Sequence, residues 1–427
     1  MSDSGKSSDS QGRSRRENRP DWLDGALLTP KGALIADVTN AAIFLERSPD
    51  LPSVWFFRYD EMLASIICGD GAPLTDGDVV DVRAWLEKQG MPRIGKDTVH
   101  DAIDHVARKY RFNPLQDELA ALKWDGCERI KTWLTRYLGA PDDDYHQMVG
   151  AMFLRSMIAR AMWPGRKADY MLVLEGKQRT LKSTVCRVLA GDKYFSDNLP
   201  DLNGDPIRLQ QHLCGKWLIE IPELSAISRA DASRLKAFLS SAVEQYTPKY
   251  GRKEVRQPRT CVFIGTTNKA NYLLDETGGT RFWPIRCGEI NISALQRDRE
   301  QLFAEAFQET YVEKRAWWPP PELEEKLIAP HQDARYQGDA WEQPIADWQF
   351  DVPKCNLNGQ PLTGFDAERN TLHPPYFLKD IAFGALGIQP GQLRKAEEMR
   401  LAKTLEFMGW RRTPKTNRGT PWLPPKA

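Results

Sequence analysis

Met171-Leu172-Val173-Leu174-Glu175-Gly176-Lys177-Gln178-Arg179-Thr180-Leu181-Lys182-Ser183-Thr184 decides the fold. Four consecutive apolar residues read as a buried strand, and the glycine after them as a turn. Lys-Ser-Thr then opens a helical pattern over Ser183–Leu189. Strand, turn and helix start in that order outline a phosphate-binding loop, in which backbone N–H groups and the positive helix end face an anion. On this reading Gly176, Gln178, Lys182, Ser183 and Thr184 bind nucleotide. Lys182 reaches the β- and γ-phosphates and the Ser183 hydroxyl binds Mg²⁺. Glycine is expected just before the lysine, for close backbone approach, and Leu181 stands there. The plainer alternative is an ordinary Lys-Ser-Thr helix start.

Working outward, Trp217-Leu218-Ile219-Glu220-Ile221-Pro222-Glu223 is an apolar strand that delivers two acids at its end. A nucleotide site needs such acids to hold Mg²⁺ and to polarise water. Glu220 and Glu223 share those roles, and the sequence does not divide them; Glu220 is named with Ser183 as a metal ligand. Cys261–Gly265 is a third strand, ending in Thr266-Thr267-Asn268. Asn268, or Thr267 beside it, is placed to orient the attacking water; a plain turn asparagine is the alternative. Gly278-Gly279-Thr280-Arg281-Phe282-Trp283 puts Arg281 after a flexible turn, as a candidate arginine finger or a solvated hairpin arginine. With Tyr170–Leu174, Lys216–Ile221 and Arg281–Ile285 as strands alternating with helices, the fold class is α/β.

Arg234–Leu239 reads as an amphipathic helix carrying Lys236. The following segment, Tyr246 to Arg259, holds Lys249, Arg252, Lys253, Arg256 and Arg259 against one acid, Glu254. Interleaved Tyr246 and Tyr250 suit stacking on bases while the cations neutralise phosphates. A solvated basic hairpin is the alternative. Between Arg394 and Lys426 stand nine basic and three acidic residues. There the helical patterns Phe377–Leu386 and Leu393–Met408 precede Trp410-Arg411-Arg412 and Trp422. This is either a winged helix-turn-helix over 375–427 or a packing helix with a basic tail.

The whole chain of 427 residues carries 59 Lys+Arg and 58 Asp+Glu, a net charge of +1. That excludes a histone-like polycation but not a local basic groove. The longest apolar runs fall far short of the ~18 residues of a spanning helix, so no membrane partner is expected. The first twenty residues are polar, without the apolar core of a secretory signal, and seven scattered cysteines lack any CxxC. A reducing cytoplasm is the expected location. The six histidines form no metal-ligand spacing. The organisation read from texture is a disordered tail at 1–20, a mainly helical domain at 21–120, the α/β domain at 121–315 and a helical C-terminal region at 316–427. In 21–120, helices are expected over Thr75–Gln89 and Asp97–Tyr110, broken by Phe112-Asn113-Pro114.

From Asn113-Pro114 and Trp124-Asp125-Gly126 through Trp163-Pro164-Gly165 to about Trp318, these motifs together resemble the virulence-associated protein E family of phage and mobile-element proteins. That family looks like a branch of the superfamily-three, AAA+-type helicase ATPases. The resemblance implies an α/β P-loop NTPase core, ATP and Mg²⁺ as cofactors, and Gly176–Thr184 as the phosphate loop. Glu220 with Glu223 would be the acidic pair, and Thr267-Asn268 the sensor. The Lys236 helix and the Lys249–Arg259 hairpin resemble the segment placed in a central pore against DNA. Arg281 would act on a neighbouring subunit's nucleotide. The partners implied are single-stranded or forked DNA, further copies of the chain in a ring (hexameric by analogy), and a separate primase. The chain departs from the family in two places: Arg179 and Leu181 replace the loop glycines, and a paired arginine is reduced to Thr280-Arg281. The function expected is therefore an ATP-driven DNA helicase or translocase of phage or mobile-element replication. The rival is a nucleotide-binding scaffold that recruits DNA or a replication partner without turnover.

Overall fold

The computed structural model describes residues 20–224, 229–246, 255–269, 272–273, 281–335, 341–348, 365–366, 371–372, 376–389, 391–416 and 419–425. The expected N-terminal tail, save Pro20, lies outside them, as do Lys249, Arg252 and Lys253.

The N-terminal part holds α1 (Val38–Arg47), α2 (Asp76–Lys88) and α3 (Lys96–Lys109). Thr75 and Asp78 cap α2 reciprocally, each side chain meeting the other's backbone N–H, so the helix starts where the Thr-x-x-Asp pattern puts it. Val79, Val82 and Leu86 from α2 meet Val99, Ile103 and Val106 from α3 in one core cluster. The sequence suggested helices here; the chain also forms a three-stranded sheet, with β1 (Arg58–Asp60) between β2 (Ser65–Ile67) and β3 (Arg111–Phe112). These strands are two or three residues long, too short to leave an alternating pattern. Asn113-Pro114, expected as a breaker, follows β3 and begins the next helix, the preceding one having ended at Lys109. The Asn113 side chain accepts from the Gln116 N–H, and Pro114 takes the first position of α4 (Pro114–Ala121).

Helices α5 (Trp133–Leu138) and α6 (Asp144–Met162) lead into the central sheet. Its strands are β4 (Met171–Glu175), β5 (Phe195–Ser196), β6 (Leu218–Ile221), β9 (Val262–Thr267) and β10 (Phe282–Arg286), in the spatial order β10-β4-β9-β6-β5 and all parallel. The intervening elements are α7 (Lys182–Ala190), α8 (Pro206–Leu213), α9 (Arg229–Ser240) and an antiparallel hairpin of β7 (Val243–Tyr246) with β8 (Val255–Pro258). Helix α10 (Ile292–Phe307) follows, then helical turns over 321–333.

Both faces of the sheet are covered. Leu172, Leu174, Val262, Ile264 and Ile285 belong to a core with α5, α6, α7 and α10. Met171, Val173, Ile219, Phe263 and Phe282 point the other way, against Leu235 and Leu239 of α9 and Leu213 of α8. Strands buried on both faces read as continuous apolar runs, which is why Met171–Leu174 shows no polar alternation. The architecture is thus α/β, a five-stranded parallel sheet flanked by helices. Since the strands are parallel, Glu175, Ile221 and Thr267 end on one edge, where ligands of open α/β sheets bind.

Toward the C-terminus come α11 (Glu342–Trp348), a short hairpin of β11 (Phe365–Asp366) and β12 (Thr371–Leu372), then β13 (Tyr376–Phe377), α12 (Leu378–Leu386), α13 (Lys395–Phe407), β14 (Arg411–Arg412) and β15 (Pro421–Leu423). Strands β13, β15 and β14 form an antiparallel sheet in that order, and Trp348, Tyr376, Leu401, Leu405, Trp410 and Trp422 share a separate core cluster. No helix among the described residues is long and apolar enough to cross a membrane.

Candidate functional site

The loop after β4 holds one glycine, Gly176, and places two residues with side chains in left-handed backbone. Arg179 and Leu181 sit in the left-handed region at φ 67° and φ 63°, a backbone conformation that glycine adopts without steric cost. A side chain there costs about 1–2 kcal/mol. Leu181 is the N-cap of α7, its side chain is half exposed, and it offers the helix no side-chain cap. The first-turn N–H groups of α7 are therefore not satisfied by the cap and remain available to an anion. Gly176 opens the turn close to its neighbours: its N–H donates to the Thr267 carbonyl at 3.2 Å, and an added Cβ would lie 3.2 Å from Thr180 Oγ1. Gln178 is exposed, and Thr184 half-buried in the first turn of α7.

Lys182 folds over this loop. Its ammonium donates to the carbonyls of Gly176 and Lys177, both at 2.8 Å, and to Thr180 Oγ1 at 3.1 Å. Burial lowers its pKa, with Cys287 and Glu220 opposing the shift. A partly desolvated ammonium held at the mouth of the loop is suited to a phosphate.

Ser183 and Glu220 meet directly. The Ser183 hydroxyl donates to Glu220 Oε1 at 2.6 Å, and Thr266 Oγ1 donates to the same oxygen at 2.7 Å. Glu220 is 1% exposed, and its second oxygen, Oε2, has no hydrogen-bond partner among the described residues. A buried polar oxygen left unmatched costs about 1–3 kcal/mol. A hydroxyl, a carboxylate and a free hard oxygen are the donor set of Mg²⁺, which takes one or two protein ligands and completes its shell with phosphate and water. The residues present fit that ion. No cluster of three or more His, Cys, Asp or Glu suited to a metal occurs among the described residues.

Glu223 stands in the turn beyond β6, exposed, at φ 51°. Asn268 is exposed immediately after β9, on the same sheet edge as the loop, because Glu175 pairs with Thr267 in register. Arg281 lies elsewhere. Its neighbour Phe282 pairs with Met171, at the start of β4, and its guanidinium donates to the Lys236 carbonyl at 3.0 Å. At ~3.3 Å per residue the length of β4 separates it from its own phosphate loop by roughly 16 Å. Lys236 is not presented to solvent: its side chain packs inward, the ammonium 5.9 Å from the Phe282 ring centroid, and the residue is 8% exposed. Arg256 is exposed on β8. Arg259, counted above among the basic residues of the hairpin, is buried, ion-paired with Glu244 and stacked 4.1 Å from the Phe238 centroid, so it serves the core.

Sequence reading missed four residues here. Thr266 faces Glu220 from the neighbouring strand, and Glu175, Tyr272 and Arg335 form a buried cluster under the loop. The apolar run before Glu175 marked a strand, but nothing local announced its distant partners.

This sheet, with a Lys-Ser-Thr helix start after β4 and exposed Ser183 hydrogen-bonded to buried Glu220 at its carboxyl edge, is that of an α/β protein with an NTPase-like core. The model of the virulence-associated protein E-like domain matches residues 119–337, and the chain belongs to that family. No curated protein matches the chain. Among solved structures it is similar to the apo C-terminal region (305–718) of NrS-1, at 14% identity and TM-score 0.43 over 69% of this chain and 76% of that one. An A-form apo structure of the same region gives 13% and 0.48, over 86% of this chain and 96% of that one. A further A-form structure gives 14% and 0.47, over 86% and 95%.

Proposed function

We propose that this protein is an ATPase of phage or mobile-element replication that moves along single-stranded or forked DNA as a homo-oligomeric ring. The observation that carries the reading is Ser183 bonded to Glu220 at 2.6 Å, with the buried Glu220 Oε2 unpartnered beside Lys182. Lys182 takes the β- and γ-phosphates, and the α7 N-terminus adds its N–H groups. Ser183 and Glu220 would hold Mg²⁺, which when bound neutralises charge on the phosphates. Glu223 and Asn268, both exposed past strand ends, take the water-activating and water-orienting roles. Arg281, a strand's length from its own loop, serves a neighbouring subunit's nucleotide, and a separate primase is the partner the family resemblance implies. Exposed Arg256 belongs to the DNA face, together with Lys249, Arg252 and Lys253. At the C-terminus, the order β13-α12-α13-β14-β15, with Arg411 and Arg412 exposed on the hairpin, supports a winged helix-turn-helix that touches DNA phosphate.

A second reading, a nucleotide-binding scaffold without turnover, is favoured by the Leu181 side chain standing half exposed at the loop. ATP turnover measured with and without single-stranded DNA separates the two. DNA-stimulated phosphate release that disappears in Lys182→Ala, with the melting temperature kept, supports the motor. Nucleotide binding with no release by the wild type sinks it and leaves the scaffold.

A further inference from the structure

Away from the phosphate loop, aromatic rings gather on the surface. Phe307, Tyr311, Trp163 and Trp317 form a column, with successive centroids 4.9, 5.3 and 6.2 Å apart and interplanar angles of 28°, 25° and 28°. Trp318 stands edge-on to Trp317 at 4.8 Å. The column is rigid where it matters: Trp317 Nε1 donates to the Lys167 carbonyl at 2.7 Å. Trp318 is nevertheless 50% exposed and Tyr311 37%. Open aromatic rings set beside the pinned Trp317 are a poor use of apolar surface unless something stacks on them.

The surroundings say what that is. Lys314 lies 4.6 Å from the centroids of both Trp163 and Tyr311, and Arg166 is exposed next to Lys167. The neighbouring acids are already neutralised: Glu309 is paired with Arg155 and Arg315, Glu313 with Arg315, and Asp169 with Lys167. The charge left over is positive. The patch also borders the basic hairpin, because the Gly165 N–H donates to the Arg259 carbonyl at 2.9 Å, directly after β8 and its exposed Arg256.

We propose that the Trp317–Trp318 face is a stacking site for unpaired bases of a single-stranded nucleic acid, with Lys314 and Arg166 on its phosphates. A duplex hides the faces of its bases, whereas a single strand offers them in succession and any base serves. The site extends the hairpin's track and rests on the reading that the chain grips single-stranded DNA.

The test is anisotropy of labelled oligo(dT) with the full chain at fixed salt. Trp318→Ala weakens binding by about 5- to 150-fold, the range of one lost base–aromatic stack. Trp318→Phe restores most of it, Lys314→Glu weakens it too, and a matched abasic oligomer no longer distinguishes wild type from Trp318→Ala. If wild type and Trp318→Ala bind oligo(dT) equally, the stacking site is wrong while the DNA reading stands. A wild type that binds no single strand overturns both. Loss of binding in Trp318→Ala that accompanies dissociation of the oligomer in light scattering marks a contact between copies and overturns the site.

Discussion

Arg335 grips both oxygens of Glu175, Nε to Oε1 at 2.9 Å and Nη2 to Oε2 at 3.0 Å, across 160 residues of sequence. Tyr272 adds its hydroxyl to Oε1 at 2.9 Å, and the N–H groups of Tyr272 and Leu273 both donate to the Arg335 carbonyl at 3.1 Å. One residue thus ties the last position of β4 to the segment that follows Asn268. The carboxylate is nearly dry, so a bidentate guanidinium is what makes its charge tolerable.

Removing one partner strands the other. Arg335→Met is expected to lower unfolding free energy by about 3–5 kcal/mol, read by denaturant titration. Adding Glu175→Gln to it recovers most of the loss, because no buried charge remains. Equal losses in the single and double variants would show that the pair is not coupled.

Glycine at Leu181 relieves the left-handed strain. Leu181→Gly is expected to raise stability by about 1 kcal/mol, since the leucine side chain is half exposed and little burial is lost. Turnover per subunit should stay level or rise. A destabilised Leu181→Gly in the same melt would mean the side chain contributes packing that outweighs the backbone.

Action of Arg281 in trans has a mixing signature. Lys182→Ala and Arg281→Ala are each expected to be inactive alone. Mixed assemblies regain part of the turnover, because some interfaces pair an intact loop with an intact arginine. Mixtures that stay dead at every ratio would contradict action of Arg281 in trans.

Acid should weaken the fold through His331. Its ring stacks on Tyr145 at 3.7 Å, and burial, then Arg335 and His146, lower its pKa below 6.5. The unfolded chain therefore binds this proton first, so the contribution is full above pH 6.5 and is lost as pH falls below it. Chemical denaturation across that window should show His331→Gln with a flatter stability profile than wild type, whatever its absolute stability.

The sequence carried the loop because strand, glycine and Lys-Ser-Thr are contiguous, and a contiguous motif needs no knowledge of the fold. Glu220 was legible for the same reason, as an acid at the end of an apolar run. Thr266, Tyr272 and Arg335 were not, since their partners lie 46, 97 and 160 residues away and only strand order brings them together. The short strands β1 to β3 escaped because two or three residues hold no period.

By itself, then, the sequence determined the longer buried strands of the central sheet, the strand–turn–helix order around Gly176 and Lys182, and the residue types that stand at the strand ends. Those follow from local apolar runs, turn residues and helix starts. The tertiary structure alone decided that Glu220 holds Ser183 with one oxygen to spare, that Arg281 is remote from its own loop, and that Lys236 and Arg259 face inward. It also bent Arg179 and Leu181 into the conformation glycine would have taken. The reason is geometric: parallel pairing fixes which strand ends share an edge, and packing on both faces fixes which cations water can reach.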